Sequence, residues 1–288
     1  MSKYYCLIAG LPNISLDDTK IPFTISEFRE ELDGILTDAD KKLIDLFFLK
    51  FDNKNLITQV KHPGFDPDER GRITFHELND LINALKEEEK PPVNKRTPPY
   101  FEAFLKLYLS ADTNEQKKVS WEDVLAALYY EYAMERKNEI VAGWFEMNLN
   151  ISNMFTAITC RKYQLDRANY IVGNNPAAIG MRTSNARDFG LGDTEDYLMD
   201  AQRIAEESDL LLREKKTDQM KWQWLEDNTF FKTFDMESVF AYLLKLEMIE
   251  RWVTLDRATG EKTFRELVGA MKKGSDNALE EFKRNNKK

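Results

Sequence analysis

The chain has few residues suited to redox, metal or nucleophilic chemistry. It holds 288 residues, of which two are cysteine and two are histidine. Cys6 and Cys160 lie far apart, and no Cys or His spacing resembles a disulfide framework or a zinc site. Both cysteines read as small buried apolar residues in a reducing compartment. Only 12 glycines and 9 prolines are present, which disfavours a loop-rich β protein. No apolar run approaches the ~18 residues of a membrane-spanning helix. The apolar N-terminal stretch Tyr4–Leu11, with Lys3 before it and Pro12 after it, is too short to span and poorly shaped as a signal peptide. It reads as a core strand or a buried short helix. Any membrane association must then run through a partner.

Basic blocks are also missing. The 41 Lys and Arg are outnumbered by 50 Asp and Glu, giving a net charge of −9. An acidic chain of this kind is a poor binder of nucleic-acid backbones. The short basic end Lys283, Arg284, Lys287 and Lys288 reads as solvated. There is no GxxxxGK[ST] phosphate loop and no GxSxG elbow, and no candidate nucleophile has a histidine at a known spacing. No cofactor, metal or catalytic group is therefore expected.

What the chain does have is helical periodicity, with 42% hydrophobic and 12% aromatic residues to fill a core. Ile25, Phe28, Leu32, Ile35 and Leu36 share one helical face. Thr37-x-x-Asp40 resembles a cap for Leu43, Leu46, Phe47 and Phe51. Thr74-x-x-Glu77 is a capping box leading into Phe75, Leu78, Leu81, Ile82 and Leu85. Residues 87–99 contain four prolines and form the best linker candidate, dividing the chain into a unit at 1–90 and a region at 91–288. Pro98-Pro99 opens a helix with Tyr100, Phe104, Leu107 and Tyr108. Ser120-x-x-Asp123 caps a long helix predicted over 121–149. Residues 173–193 are irregular. Helical patterns resume over 194–216, 219–230, 235–255 and 262–273, with Asp235 as an N-cap and Gly274 past the last of them. The expected fold is all-α, of about ten helices, with at most a short extended N-terminal segment.

One segment imitates a metal site. Residues 66–77 have the EF-hand skeleton, with Asp66, Asp68 and Glu77 at loop positions 1, 3 and 12 and Gly71 at position 6. Arg70 stands where an oxygen ligand belongs, and Pro63-Gly64 break the entering helix. Tight calcium binding is not expected, and the segment reads as a polar turn before a capped helix. A weaker echo at Asp112–Asp123 lacks the glycine. Trp222, Trp224, Phe230 and Phe231 read as core or interface.

A short internal echo joins Phe51-Asp52-Asn53-Lys54-Asn55-Leu56-Ile57 to Leu149-Asn150-Ile151-Ser152-Asn153-Met154-Phe155. Both place a polar residue three before an asparagine, with two apolar residues after it. Echoes of this kind suggest stacked, similar helical units. Asn153, among apolar neighbours, is expected to be buried and bonded to backbone at the end of the long helix.

The segment Val239-Phe240-Ala241-Tyr242-Leu243-Leu244, followed by Glu247 and Arg251, resembles the late helix of the C-type stalk subunit of V/A-type rotary ATPases, the d-type in eukaryotes. Asn150-Ile151-Ser152-Asn153 resembles that family's Asp-x-x-Asn motif, with Asn150 in place of the aspartate. The resemblance covers about residues 120–268. The whole chain also resembles an uncharacterised bacterial family encoded beside V-type ATPase subunits. The resemblance implies three stacked helical units arranged as a funnel. It also implies a non-catalytic central-stalk subunit, monomeric alone, that caps the membrane rotor ring and receives the central shaft. Its location would be cytoplasmic, peripheral to the inner membrane through its partners. Asn55, Asn153, Tyr242, Glu247 and Arg251 are its candidate structural or interface residues, with Glu247 and Arg251 expected to pair within one helix. A calcium-responsive module at 66–77, or an enzyme with a site assembled from distant residues, are the alternatives.

Overall fold

Side-chain caps decide where most of the helices begin. In the computed structural model, which describes residues 4–90, 94, 96–111, 119–192, 196–255, 260, 262 and 265, the first helix is α1 (Tyr5–Gly10). Thr24 and Glu27 form a reciprocal capping box at α2 (Ile25–Ile35), and Thr37 caps α3 (Asp38–Lys61). Thr74 and Glu77 form a second box at α4 (Phe75–Lys86). Pro99 stands at the first position of α5 (Pro99–Leu109), where its missing N–H costs nothing. Ser120 caps α6 (Trp121–Met134), Asn138 caps α7 (Glu139–Tyr163) and Asn175 caps α8 (Pro176–Thr183). After α9 (Asp196–Ala205), Asp209 accepts from the N–H groups of Leu211 and Leu212 to open α10 (Leu210–Thr229). The last is α11 (Met236–Thr254). The fold is all-α: eleven α-helices and no strand among the described residues.

Several expectations need correction. Of the two readings of the N-terminal stretch, the short helix holds: it is α1, with Leu7 its buried residue; of the two cysteines expected to be buried, Cys160 is and Cys6 is exposed. The long helix predicted over 121–149 is two helices. The chain turns at Glu135–Lys137, and Asn138 starts α7, which runs on to Tyr163. The break falls in the five polar residues Glu135–Glu139, after which the apolar residues resume about two turns on from Ala133, so the two helices read as one periodic run. Asn153 consequently lies inside α7 rather than at a helix end. The helix expected over 194–216 is likewise interrupted, with α9 ending at Ala205 and α10 starting at Leu210. Asp235 occupies the N-cap position of α11 without a side-chain capping bond. The expected helix over 262–273, Gly274, the basic end and the Asp112–Asn114 part of the weaker calcium echo fall largely or wholly outside the described residues.

The core is rich in phenylalanine. Phe28, Phe48, Phe101, Phe104, Phe189 and Phe240 are essentially inaccessible. One cluster of buried side chains runs from Tyr4 to Met248 and takes in residues from both sides of the linker candidate. Within it, α7 packs against α6, α8, α9 and α11, while α11 also touches α2, α3 and α10. On α11 the buried residues include Val239, Phe240, Leu243, Leu244 and Leu246, at helical spacing; Tyr242 and Val253, which share that spacing, are only half-buried. No helix among the described residues is long and apolar enough to cross a membrane. Phe240 ends inside this core, with its ring centroid 6.3 Å from that of Phe145. Phe240→Ala is expected to cost about 3–5 kcal/mol in denaturant unfolding, the transfer and cavity loss for a buried ring. A loss under about 1 kcal/mol would show that the site collapses freely.

Candidate functional site

Two pairs of polar residues lie buried on the two longest helices. On α3, Asp52 and Asn55 are 0% and 1% exposed. The Asn55 amide donates to the carbonyl of Asp68 at 3.0 Å and accepts from the N–H of the same residue at 2.8 Å. Asp52 Oδ1 accepts from the N–H groups of Arg72 and Ile73 at 2.8 and 2.9 Å. Three residues apart, the two side chains lie on one helix face. Between them they satisfy the loop that leads into the capping box of α4. Gly71 lets this loop approach: a Cβ there would stand 2.6 Å from Asp52 Oδ1 and 3.0 Å from Asn55 Nδ2. No ordinary contact is that close.

The same bracket recurs on α7. Asn153 donates to the carbonyl of Val172 at 2.7 Å and accepts from its N–H at 2.9 Å. Asn150, three residues earlier, donates to the Tyr197 hydroxyl at 2.9 Å and accepts from the Asn175 amide at 2.9 Å. Asn175 is itself the cap of α8. In both places a buried asparagine clasps one loop residue at both backbone atoms. The polar residue three before it holds the approach to a short capped helix.

The calcium-like segment is committed to this arrangement. Asp68 is bonded through both carboxylate oxygens to the Arg70 guanidinium, at 2.9 and 2.7 Å. Those bonds first, against its modest burial, hold the Asp68 carboxyl below its ordinary range. Glu77 spends one oxygen on the Thr74 N–H at 2.7 Å and the other on Asn94 at 2.8 Å. The Arg70 guanidinium lies 4.2 Å from the centre of the Phe51 ring, which fixes the loop on α3. Asp66 lies at the exposed start of the segment.

The third constellation is the charged edge of α11, and here the sequence expectation is corrected. Glu247 and Arg251 do not bond to each other. Glu247 pairs with Lys50 of α3 at 2.7 Å, and Arg251 pairs with Asp218 of α10. Asp218, 3% exposed, also accepts from the Trp252 indole N–H at 2.6 Å, and Glu214 lies 3.6 Å from Arg251. Burial opposes the charge on Arg251, but Asp218, Glu247 and Glu214 outweigh it and hold its pKa above the ordinary value. The i,i+4 relation gives way because long-range partners are better buried and better aimed. Glu250 accepts from the Ile25 N–H at 2.9 Å, so α11 also holds the start of α2. The Tyr242 hydroxyl donates to the carbonyl of Pro12 at 3.1 Å, and burial pushes its pKa up to about 12.

The sequence points to Asn55 and Asn153 and gives no sign of Lys50, Asp218 and Glu250. Those three act through contacts distant along the chain. Of the aromatic group at 222–231, Trp222 and Trp224 pack against the core, whereas Phe230 and Phe231 are exposed.

Asn153→Leu is expected to leave both backbone groups of Val172 unpaired and to cost about 1–3 kcal/mol in thermal or denaturant unfolding. An unchanged melting temperature would show the bracket to be dispensable. Asp52 provides a pH test. Burial raises its pKa from 3.8 to about 6, against the opposing pull of the Ile73 and Arg72 N–H groups. The folded chain thus keeps this proton to higher pH than the unfolded chain. Its stability falls as pH rises from about 4 to about 6, by about 1–3 kcal/mol. Asp52→Asn keeps the acceptor and carries no charge. It should be more stable than wild type by about that amount near pH 7.5, and equal to it near pH 4. A variant no more stable than wild type near pH 7.5 would overturn the assignment.

No curated protein and no solved structure matches the chain. Residues 1–275 match the family described as "Protein of unknown function (DUF2764)", and the chain belongs to that family.

Proposed function

We propose that the protein is a non-catalytic coupling subunit of a V/A-type rotary ATPase, placed between the central shaft and the membrane rotor ring. A part in that position has to transmit torque without yielding, and its first physical requirement is stiffness. The observation that carries the reading is the recurring bracket, Asp52 with Asn55 on α3 and Asn150 with Asn153 on α7. Its second copy lies where the sequence resembles the Asp-x-x-Asn motif of the C-type stalk family. Buried amides bonded to backbone lock loops that would otherwise be the soft parts of a helical body. Stacked pseudo-equivalent units forming a funnel would follow from that recurrence.

The charged edge of α11 supports the same reading. Glu247 and Arg251, matching the acid and arginine of the resemblance, tie α11 to α3 and to α10. The ties are between helices, as a torque-bearing body needs, rather than within one helix. In this reading the chain is monomeric alone and reaches the membrane only through its partners, at the cytoplasmic face.

The test is twofold. Native protein purified at its natural abundance should bring rotary ATPase subunits with it; their absence under gentle conditions would contradict the proposal. In the reconstituted complex, Arg251→Ala should leave ATP hydrolysis by the isolated head unchanged and lower the ions moved per ATP. The variant leaves buried Asp218 with the Trp252 N–H as its remaining donor. With the Arg251 side chain 40% exposed, the stability cost should be about 1–3 kcal/mol, below the range for a fully buried pair. Unchanged coupling in a folded variant would remove Arg251 from the path of torque.

A further inference from the structure

Residues 147–192 carry five cations and only two acids, a balance of +3 in a chain whose net charge is −9. The cations are Arg161, Lys162, Arg167, Arg182 and Arg187. The fold gathers them where the last turn of α7, the turn Arg167–Asn169, α8 and the loop after it meet. Among the described residues none of the five pairs with an acid. Asp166 is spent on the Ala168 N–H at 3.1 Å and the Asn169 amide at 3.2 Å, and Asp188 on the N–H groups of Gly190 and Gly192 at 3.0 and 3.2 Å. In place of acids, the guanidiniums hold neutral oxygens. Arg161 donates to the carbonyls of Arg187 and Ala186 at 2.8 and 2.7 Å, and Arg167 to the carbonyl of Ser184 at 2.7 Å. Both lie against the buried Phe189 ring, 4.0 and 5.5 Å from its centre. Two like charges beside one ring repel: after burial, Arg167 is the neighbour that pushes the Arg161 pKa below its ordinary value. Around them stand the exposed apolar side chains Tyr163, Leu165, Tyr170 and Ile179, with the Lys162 ammonium 5.5 Å from the Tyr163 ring centre.

We infer that this surface docks an acidic segment of a partner protein, one that sets carboxylates against the five cations and apolar side chains against Tyr163, Leu165, Tyr170 and Ile179. Charge complementarity calls for the acids. The remainder of the chain is acidic, so it repels such a partner and confines it to this face. The composition is that of a protein interface, where arginine and tyrosine are enriched and lysine is depleted: the surface has four arginines to one lysine. Arg161, Arg167 and Arg182 are already held by backbone carbonyls, Arg182 by those of Ile171 and Gly173, so little side-chain freedom is lost on docking. Cations fixed in this way suit a partner of fixed shape rather than a fluid lipid surface. The same bonds occupy the guanidinium forks that would otherwise grip a phosphate. The Asn153 bracket on Val172 holds the chain between the turn Arg167–Asn169 and α8, and so holds the surface together. This inference stands apart from the coupling role.

The experiment follows the fluorescence anisotropy of two synthetic peptides titrated with the full chain. Each is an amphipathic helix with leucine on one face, and the other face is glutamate in one and glutamine in the other. Saturable binding of the glutamate peptide, weakened by added salt, is expected, with weaker binding of the glutamine peptide. Lys162→Glu with Arg187→Glu alters two exposed side chains that make no hydrogen bond or ion pair among the described residues, and should weaken binding about five- to fiftyfold. Lys106→Glu with Arg203→Glu makes the same change of charge at exposed positions on α5 and α9 and should keep near wild-type affinity. Tyr163→Ser with Tyr170→Ser should weaken it about three- to tenfold. In the wild-type chain the glutamate peptide should slow amide hydrogen exchange over residues 161–170, an arm that needs no variant to fold. The proposal would be overturned by no saturable binding of the glutamate peptide, equal binding of the glutamine peptide, wild-type affinity in the Lys162→Glu, Arg187→Glu chain, or unslowed exchange over 161–170. Tighter binding to phosphatidylglycerol vesicles would overturn it in favour of a lipid surface, and self-association lost with Lys162→Glu and Arg187→Glu in favour of a second copy of the chain.

Discussion

A buried asparagine that donates to and accepts from the same backbone residue is the interaction on which the rest of this structure depends. A loop lying against a long helix hides peptide groups that no helix ladder can satisfy, and each one left bare costs about 1–3 kcal/mol. Asn55 and Asn153 each remove two such groups at once, at Asp68 and at Val172. With the loops fixed, α8 is seated on α7, and α4 packs on α5 with the Gln59 amide of α3 donating to Asn79 at 2.6 Å. Thr74 with Glu77 of the first turn, and Asn175, can then cap them in place. Gly71 belongs to the same constraint, because any Cβ there would push the loop off Asp52 and Asn55.

The second level of organisation is built on α11. Its buried face joins the core through Val239, Phe240, Leu243 and Leu246, and its charged edge reaches α3, α10 and the start of α2. The apolar face supplies most of the stabilisation, since half-exposed ion pairs contribute little on their own. What the pairs add is direction: Lys50 and Asp218 accept one arrangement of α11 and disfavour others. A bulk apolar contact cannot discriminate in that way.

Much of this was legible in the sequence where the rule is local. The capping boxes at Thr74 and the cap at Ser120 are readable because both partners lie within four residues. The two asparagines are readable because they sit among apolar residues in matching heptapeptides. The break at Glu135–Lys137 was masked because the apolar residues resume in helical phase after it, although the polar run Glu135–Glu139 and the cap Asn138 mark a new start. The partners of Glu247 and Arg251 were not legible. They lie 197 and 33 positions away, and the favourable i,i+4 spacing pointed to a different pair.

That two side-chain amides hold two loops rigid is read most directly by native-state hydrogen exchange. The amide protons of Asp68 and Val172 are expected to exchange as slowly as those of the helices they rest on. Asn55→Leu should release Asp68 and leave Val172 protected, and Asn153→Leu should do the reverse. Exchange of both amides in the wild-type chain at the rate of an open loop would contradict the role given to Asn55 and Asn153.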